Sequence, residues 1–224
     1  MKLELVIFDM DGLMFDTEMV YYKAFKRGLK EFGQEFDNQV FLNSIGTSFS
    51  KTYELLEERY GQILDVNILL NNVDAYKDEI VLSEGLPIKK GLLELIEFLN
   101  KNRIKKAIAS SSFREIILKN LEISGIKNDF DYIISGAELA RSKPDPEIFI
   151  KTCSDLNISK ENTIVLEDSL NGLRAAYAGG IKCIVVPDMV PANDEIINKA
   201  FRVYDSLLDV KIFLERIGDK NDIQ

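Results

Sequence analysis

The sequence contains no histidine. That excludes a Ser-His-Asp triad, a histidine-ligated zinc and an imidazole acid or base. Cysteine is scarce. Cys153 and Cys183 alone cannot build a disulfide framework or a four-thiolate metal centre. They read as two buried free thiols in a reducing compartment. No apolar run approaches the ~18 residues needed to span a bilayer. Glu4 and Asp9 stand where a signal peptide would be purely apolar. A cytoplasmic location with no membrane partner is therefore expected. Positive charge is in the minority: 28 Lys and Arg oppose 37 Asp and Glu, for a net charge of −9 and a pI near 4.8. Such a surface repels phosphodiester backbones, so nucleic acid is not an expected partner. A local positive pocket for a small anion is compatible with this balance. Polar chemistry must come from carboxylates, lysines, arginines and hydroxyls.

The 224 residues, 46% apolar and 29% charged, suit one domain or one domain with a smaller insert. Short apolar runs alternate with helix-period stretches. Strands are expected at Leu3 to Phe8, Lys105 to Ala109, Tyr132 to Ile134, Thr163 to Leu166 and Lys182 to Val186. Helices are expected at Gly91 to Asn102, Phe113 to Ile123, Pro146 to Leu156 and Leu170 to Ala178, the last stopped by Gly179-Gly180. This alternation predicts an α/β fold with a doubly wound, parallel-sheet, Rossmann-like core. From about Glu18 to Glu84 no strand is evident. Apolar stripes there recur at helical spacing, as in Val20, Ala24, Leu29 and Phe32, then Tyr53, Leu56 and Tyr60. Residues 17–85 are thus expected to be an all-helical cap inserted into a core of 1–16 and 86–224, returning through Gly85-Leu86-Pro87. An insert after the first strand would sit over the strand ends where such sheets bind ligands, a place suited to a lid. The polar tail from Gly218 to Gln224 is expected to fray. No internal repeat is evident.

The notable polar residues follow strands. Asp9 and Asp11 follow the first, Ser110 the second, Lys143 the third, and Glu167 and Asp168 the fourth. Parallel strands would bring all of them to one edge. Carboxylates ~4 Å apart repel by about 4 kcal/mol each at an effective dielectric of 20, so such a cluster calls for a cation. Oxygen ligands without histidine select a hard ion, Mg²⁺ before Zn²⁺. Asp9, Glu167 and Asp168 ionised, Asp11 protonated and Lys143 cationic leave a net of minus two, which Mg²⁺ would neutralise for a phosphate dianion. Each signal is weak alone. Asp-x-Asp-Gly also suits a plain turn. A calcium loop is discounted, because Gly12 is at the wrong position and a strand precedes it. Ser110-Ser111-Ser112 also suits a helix N-cap, and Lys143 a solvated surface position. Pro144 and Pro146 would stiffen the loop that aims Lys143. Gly172, inside an expected helix, reads equally as close packing under the metal loop or as a tolerated weak residue.

Together, Asp9-Met10-Asp11-Gly12, Ser110, Lys143-Pro144 and Glu167-Asp168-Ser169 resemble the four motifs of the haloacid dehalogenase-like superfamily. The insert resembles the cap of its β-phosphoglucomutase-like branch. The resemblance runs from Met1 to about Leu214. It implies that Asp9 is a nucleophile forming an aspartyl-phosphate, and that Asp11 is general acid and then base. It implies that Ser110 and Lys143 hold phosphoryl oxygens, with backbone donors near Met10, Asp11 and Ser111. The implied Mg²⁺ ligands are Asp9, the Asp11 carbonyl, Asp168, and Glu167 directly or through water. Dehalogenases of similar fold lack an Asp two residues after the nucleophile, so Asp11 points to phosphoryl transfer. Tyr21 stands where mutases of this branch carry a His, and Phe49 of Gly46-Thr47-Ser48-Phe49 stands where they carry an Arg. That tilts the expectation from mutase to phosphatase, although Lys51, Arg59 or Lys77 could substitute. Phe15, Tyr21, Tyr22 and Thr47 are candidates for the substrate wall, with core packing as the alternative for the aromatics. The expected partner is a small phosphorylated metabolite, and the expected state a monomer or else a dimer. A hexose-phosphate mutase, a phospho-accepting receiver module and a non-catalytic binding protein stay open as alternatives. Against a receiver stands its acceptor position after the third strand, here Ser135-Gly136.

Overall fold

The computed structural model describes residues 2–45, 47 and 49–218. Gly46 and Ser48 of the expected cap loop, and residues 219–224 of the tail, lie outside the described residues. The chain divides into two compact units, Met1–Phe15 with Ile88–Gln224, and Asp16–Pro87.

The first unit carries a six-stranded sheet of β1 (Leu5–Phe8), β2 (Lys105–Ser110), β3 (Tyr132–Ser135), β4 (Thr163–Glu167), β5 (Lys182–Val185) and β6 (Arg202–Val203). Spatial order is β3-β2-β1-β4-β5-β6, and every pairing is parallel. This is the expected α/β, doubly wound class. The chain builds outward from β1 to β3, then returns to β4 on the other side, so direction reverses beside β1. Open α/β sheets bind ligands at the C-terminal ends of strands around such a reversal. The central strands β1 and β4 have no exposed residues, as apolar runs such as Leu5–Phe8 require when both faces are covered.

Helices α5 (Leu92–Lys101), α6 (Arg114–Ile123), α7 (Glu147–Leu156), α8 (Leu170–Gly179), α9 (Asp194–Lys199) and α10 (Leu207–Gly218) belong to this unit. The core includes Leu5, Ile7, Ala107, Val165, Phe149, Leu173, Ala176 and Val185. Helix α8 starts on Ser169, whose hydroxyl accepts the Gly172 N–H, and ends on Gly180 in the left-handed region. Strand β1 begins at Leu5 rather than Leu3. Strand β6, α9 and α10 are not among the elements expected from the sequence. Strand β6 is two exposed residues long, too short for any period to register.

The second unit holds α1 (Thr17–Glu31), α2 (Asn38–Ser44), α3 (Phe49–Tyr60) and α4 (Val66–Glu84), with no strand among its described residues. The stripes do form its core. Ala24, Leu29, Leu56 and Tyr60 are buried with Leu69 and Val73, and Phe32 and Tyr53 pack partly buried against them. A fully buried side chain such as Leu69 contributes about 1.5–3 kcal/mol. Asp16 and Asp65 cap α1 and α4 through their carboxylates, which supplies the start signals. The Tyr60 hydroxyl accepts from the Asp37 N–H at 2.8 Å and donates to the Glu35 carbonyl at 3.1 Å, tying an extended segment to α3.

Candidate functional site

Four strand ends supply the site in the sheet unit. Asp9 N–H donates to the Leu166 carbonyl at 3.0 Å, which sets the end of β1 against β4. The chain then turns sharply, with Gly12 N–H bonded to the Phe15 carbonyl and Phe15 N–H to the Met10 carbonyl. Gly12 has φ +82°, and a Cβ there would lie 2.3 Å from Asp168 Oδ2. Only glycine lets the β1 turn approach the carboxylate that follows β4 this closely.

Asp9 and Glu167 are 8% and 0% exposed. Lys143 Nζ lies 2.5 Å from Asp9 Oδ1, 2.6 Å from Glu167 Oε1 and 3.0 Å from the Ala109 carbonyl. The Phe149 ring lies beneath it, with the centroid at 5.0 Å. Glu167 Oε2 accepts from Ser169 Oγ at 2.9 Å and from Ser169 N–H at 3.3 Å. Helix α8 passes so close to Glu167 that a Cβ on Gly172 would sit 1.8 Å from its carboxyl carbon. Of the two readings of Gly172, the structure therefore supports close packing under the acidic loop.

Burial pushes the Asp9 carboxyl up to about 7; Lys143 pulls it down and Glu167 pushes it up further. Asp168 is raised well above the usual carboxylate range, first by burial and then by Glu167 and Asp9. Burial works against the Lys143 charge, but the Asp9 and Glu167 carboxylates outweigh it and hold the ammonium raised. One lysine thus faces three carboxylates. Asp9, Glu167 and Asp168 each present an oxygen within 4.8 Å of the others. An all-oxygen set with a surplus of buried negative charge fits a hard divalent cation.

The expected core residues Asp9, Asp11, Ser110, Lys143, Glu167 and Asp168 thus all lie on the C-terminal strand edge. Ser110 is 1% exposed, and its Oγ accepts the Ser112 N–H at 3.1 Å, leaving its own hydroxyl proton to be donated. Met10 and Ser111 flank Asp9 and Ser110 on the two loops. The Met10 side chain is buried, with Asn120 against its sulfur, so Met10 can face a ligand only through its backbone. The serine run does not cap α6. Its N-cap is Phe113, with no side-chain bond.

The wall residues fare differently. Phe15 is fully buried. Tyr21 and Thr47 belong to the helical unit. Tyr21 packs against that unit's core and accepts from Lys77 Nζ at 3.4 Å. Exposed Thr47 donates to the Ser44 carbonyl. Lys51, Arg59 and Lys77 pair with Glu54, Asp37 and Asp74. Ser112, not among the site residues expected from the sequence, donates from its Oγ to Asp11 Oδ2 at 2.7 Å. The run Ser110-Ser111-Ser112 was the available signal, but a helix cap was the obvious explanation for its third member.

The model of the haloacid dehalogenase-like hydrolases matches residues 6–186. The chain belongs to that family, in the form that carries a helical insert between β1 and β2. It is 32% identical over 185 residues to the phosphorylated carbohydrates phosphatase of Thermotoga maritima, covering 81% of this chain and 84% of that one. A provisionally assigned beta-phosphoglucomutase from Thermotoga maritima superposes with a TM-score of 0.84 at 28% identity, covering 96% of this chain and all of the other. A variant of CbbY from Rhodobacter sphaeroides, solved with xylulose 1,5-bisphosphate, superposes with a TM-score of 0.68 at 24% identity, covering 92% and 96%. At that identity the second likeness speaks for the fold alone. Among the described residues no helix is long and apolar enough to cross a membrane.

Proposed function

We propose that this chain is a Mg²⁺-dependent phosphatase of small phosphorylated metabolites, with sugar phosphates as the first substrate class. The observation that carries the reading is the meeting of Asp9, Lys143, Glu167 and Asp168 beside the serine-rich loop that follows β2. The name of the Thermotoga phosphatase supports the substrate class. Asp9, Asp168, the Asp11 carbonyl and Glu167 would hold the metal, which when bound supplies positive charge to offset these carboxylates and the phosphate.

Asp9 is the nucleophile. Its carboxylate attacks phosphorus in line, forming the Asp9–phosphorus bond as the bond to the sugar oxygen breaks. Asp11 gives its proton to the departing oxygen, then takes one from the water that attacks the aspartyl-phosphate. That second step releases phosphate and restores Asp9. Lys143 fixes the Asp9 carboxylate and adds a positive charge at the transferring phosphoryl group, while Ser110 donates its hydroxyl to a phosphoryl oxygen. Residues 17–85 select the leaving group in this proposal, with Tyr21 and Thr47 as candidate contributors.

The test is p-nitrophenol release from p-nitrophenyl phosphate, followed by a panel of sugar phosphates. Each is run with Mg²⁺ and with chelator, for wild type, Asp9→Asn and Asp11→Asn. Metal-dependent turnover of sugar phosphates, lost in Asp9→Asn, is expected. A wild type inert toward every ester would overturn the proposal. Isomerisation of a hexose 1-phosphate only in the presence of a hexose bisphosphate would replace it with the mutase reading.

A further inference from the structure

Ser112 is given no role in the mechanism above, yet all three of its polar groups are committed. Its N–H donates to Ser110 Oγ at 3.1 Å. Its carbonyl accepts from Ser135 Oγ at 2.6 Å. Its hydroxyl donates to Asp11 Oδ2 at 2.7 Å, across 101 residues of chain. The geometry points to Ser112 as a positioning residue that orients the Asp11 carboxyl for proton transfer to the leaving oxygen, an inference that rests on the phosphatase reading.

The backbone around Ser112 is built to hold that hydroxyl still. Ser135 is fully buried at the end of β3, pairs in register with Ser110, and accepts the Ala137 N–H at 3.2 Å. A Cβ on Gly136 would lie 3.3 Å from Ser111 Cα, so the loops after β2 and β3 touch backbone to backbone. The hydroxyl is not spent on starting a helix, since Phe113 is the N-cap of α6. Asp11 stands on the turn after β1, with two side-chain torsions. Holding Oδ2 at hydrogen-bond distance sets the plane of the carboxyl, and so where Oδ1 lies. An acid and base used twice in one cycle gains from a fixed aim, because misplacement by about 1 Å can lower a rate ~100-fold.

A positioning role for the acid has a signature that a loss of fold does not share. The p-nitrophenolate group leaves without a proton, whereas a sugar alkoxide needs one. The constant kcat/KM covers the steps up to leaving-group departure and excludes the hydrolysis of the aspartyl-phosphate. The experiment measures kcat/KM for p-nitrophenyl phosphate and for glucose 6-phosphate, or for the best sugar phosphate of the panel. It uses wild type, Ser112→Ala and Ser112→Thr, all with Mg²⁺. The ratio of the two constants on one preparation is independent of the fraction that folds. Ser112→Ala should lower the sugar-phosphate constant at least about tenfold more than the p-nitrophenyl phosphate constant. Ser112→Thr, which keeps a hydroxyl, should restore most of the ratio. An unchanged ratio in Ser112→Ala, whether both constants fall or neither does, would overturn the inference and leave the phosphatase reading intact. A wild type inert toward every ester would overturn both.

Discussion

Replacing Gly172 with alanine sets two opposed effects against each other in one helix turn. In an ordinary helix the change stabilises by up to about 1 kcal/mol. Here the new Cβ would lie 1.8 Å from Glu167 Cδ, 1.9 Å from Oε1 and 2.3 Å from Oε2. A long, solvated glutamate would swing aside. Glu167 has no exposed surface and is held by Lys143 at 2.6 Å and by Ser169 at 2.9 Å. Displacing it breaks a buried ion pair, which costs about 3–5 kcal/mol. Net of the propensity gain, Gly172→Ala should destabilise by about 2–4 kcal/mol. For a chain of this size that lowers Tm by about 4–16 °C. Gly179→Ala, at the other end of α8, is the control. Its nearest neighbours would be Pro146, Ile181 and Ile150 side-chain atoms at 3.4–3.7 Å, ordinary contact distances. It should be neutral or slightly stabilising. Both variants are read by thermal unfolding followed by circular dichroism, with Mg²⁺-dependent turnover measured alongside. A Gly172→Ala protein that melts with or above the wild type and keeps its turnover would refute the packing argument, because Glu167 would then have room to move.

Three further outcomes follow from the same structure. Tyr60→Phe in the helical unit leaves the Asp37 N–H and Glu35 carbonyl without the hydroxyl, so it should destabilise by about 1–3 kcal/mol in urea; no change in midpoint would show that water replaces it. Asp9 ionises at about 7 folded against 3.8 ordinarily, so between those pH values the native state binds more protons than the unfolded chain. Stability of the metal-free protein should therefore fall across that window as pH rises, and Asp9→Asn should lack this contribution. The advantage of Asp9→Asn over wild type in urea midpoint should grow from the lower pH to the upper and then level off, and a flat difference would count against the raised carboxyl. Burial pushes both the Cys153 and the Cys183 thiols up, so a disulfide reagent should label neither in the native protein at mildly alkaline pH and both in concentrated guanidinium chloride. Rapid native labelling of Cys183 would mean that β5 opens.

The amino-acid order by itself determined the α/β class, the helical character of the insert, and the placement of acidic residues, a serine and a lysine just after strands. These are local properties. Apolar runs of strand length, helical stripes and the absence of histidine can be read without knowing what packs on what. The surplus of carboxylates is legible there too, since like charges repel wherever the fold lets them meet. The tertiary structure alone decided the rest. Lys143 reaches Asp9 across 134 residues, and register between separate strands sets that distance. Phe15 and Tyr21 looked alike in sequence as wall candidates, yet Phe15 is fully buried and Tyr21 only partly so. Gly172 could be either a weak helix residue or a contact, until the position of the Glu167 carboxylate settled it. Ser112 read as a cap because hydroxyls before helices usually are caps, whereas β3 holds its backbone so that the hydroxyl faces Asp11. Side-chain direction depends on which strands pair and how closely loops approach, and no pattern within a single segment carries that information.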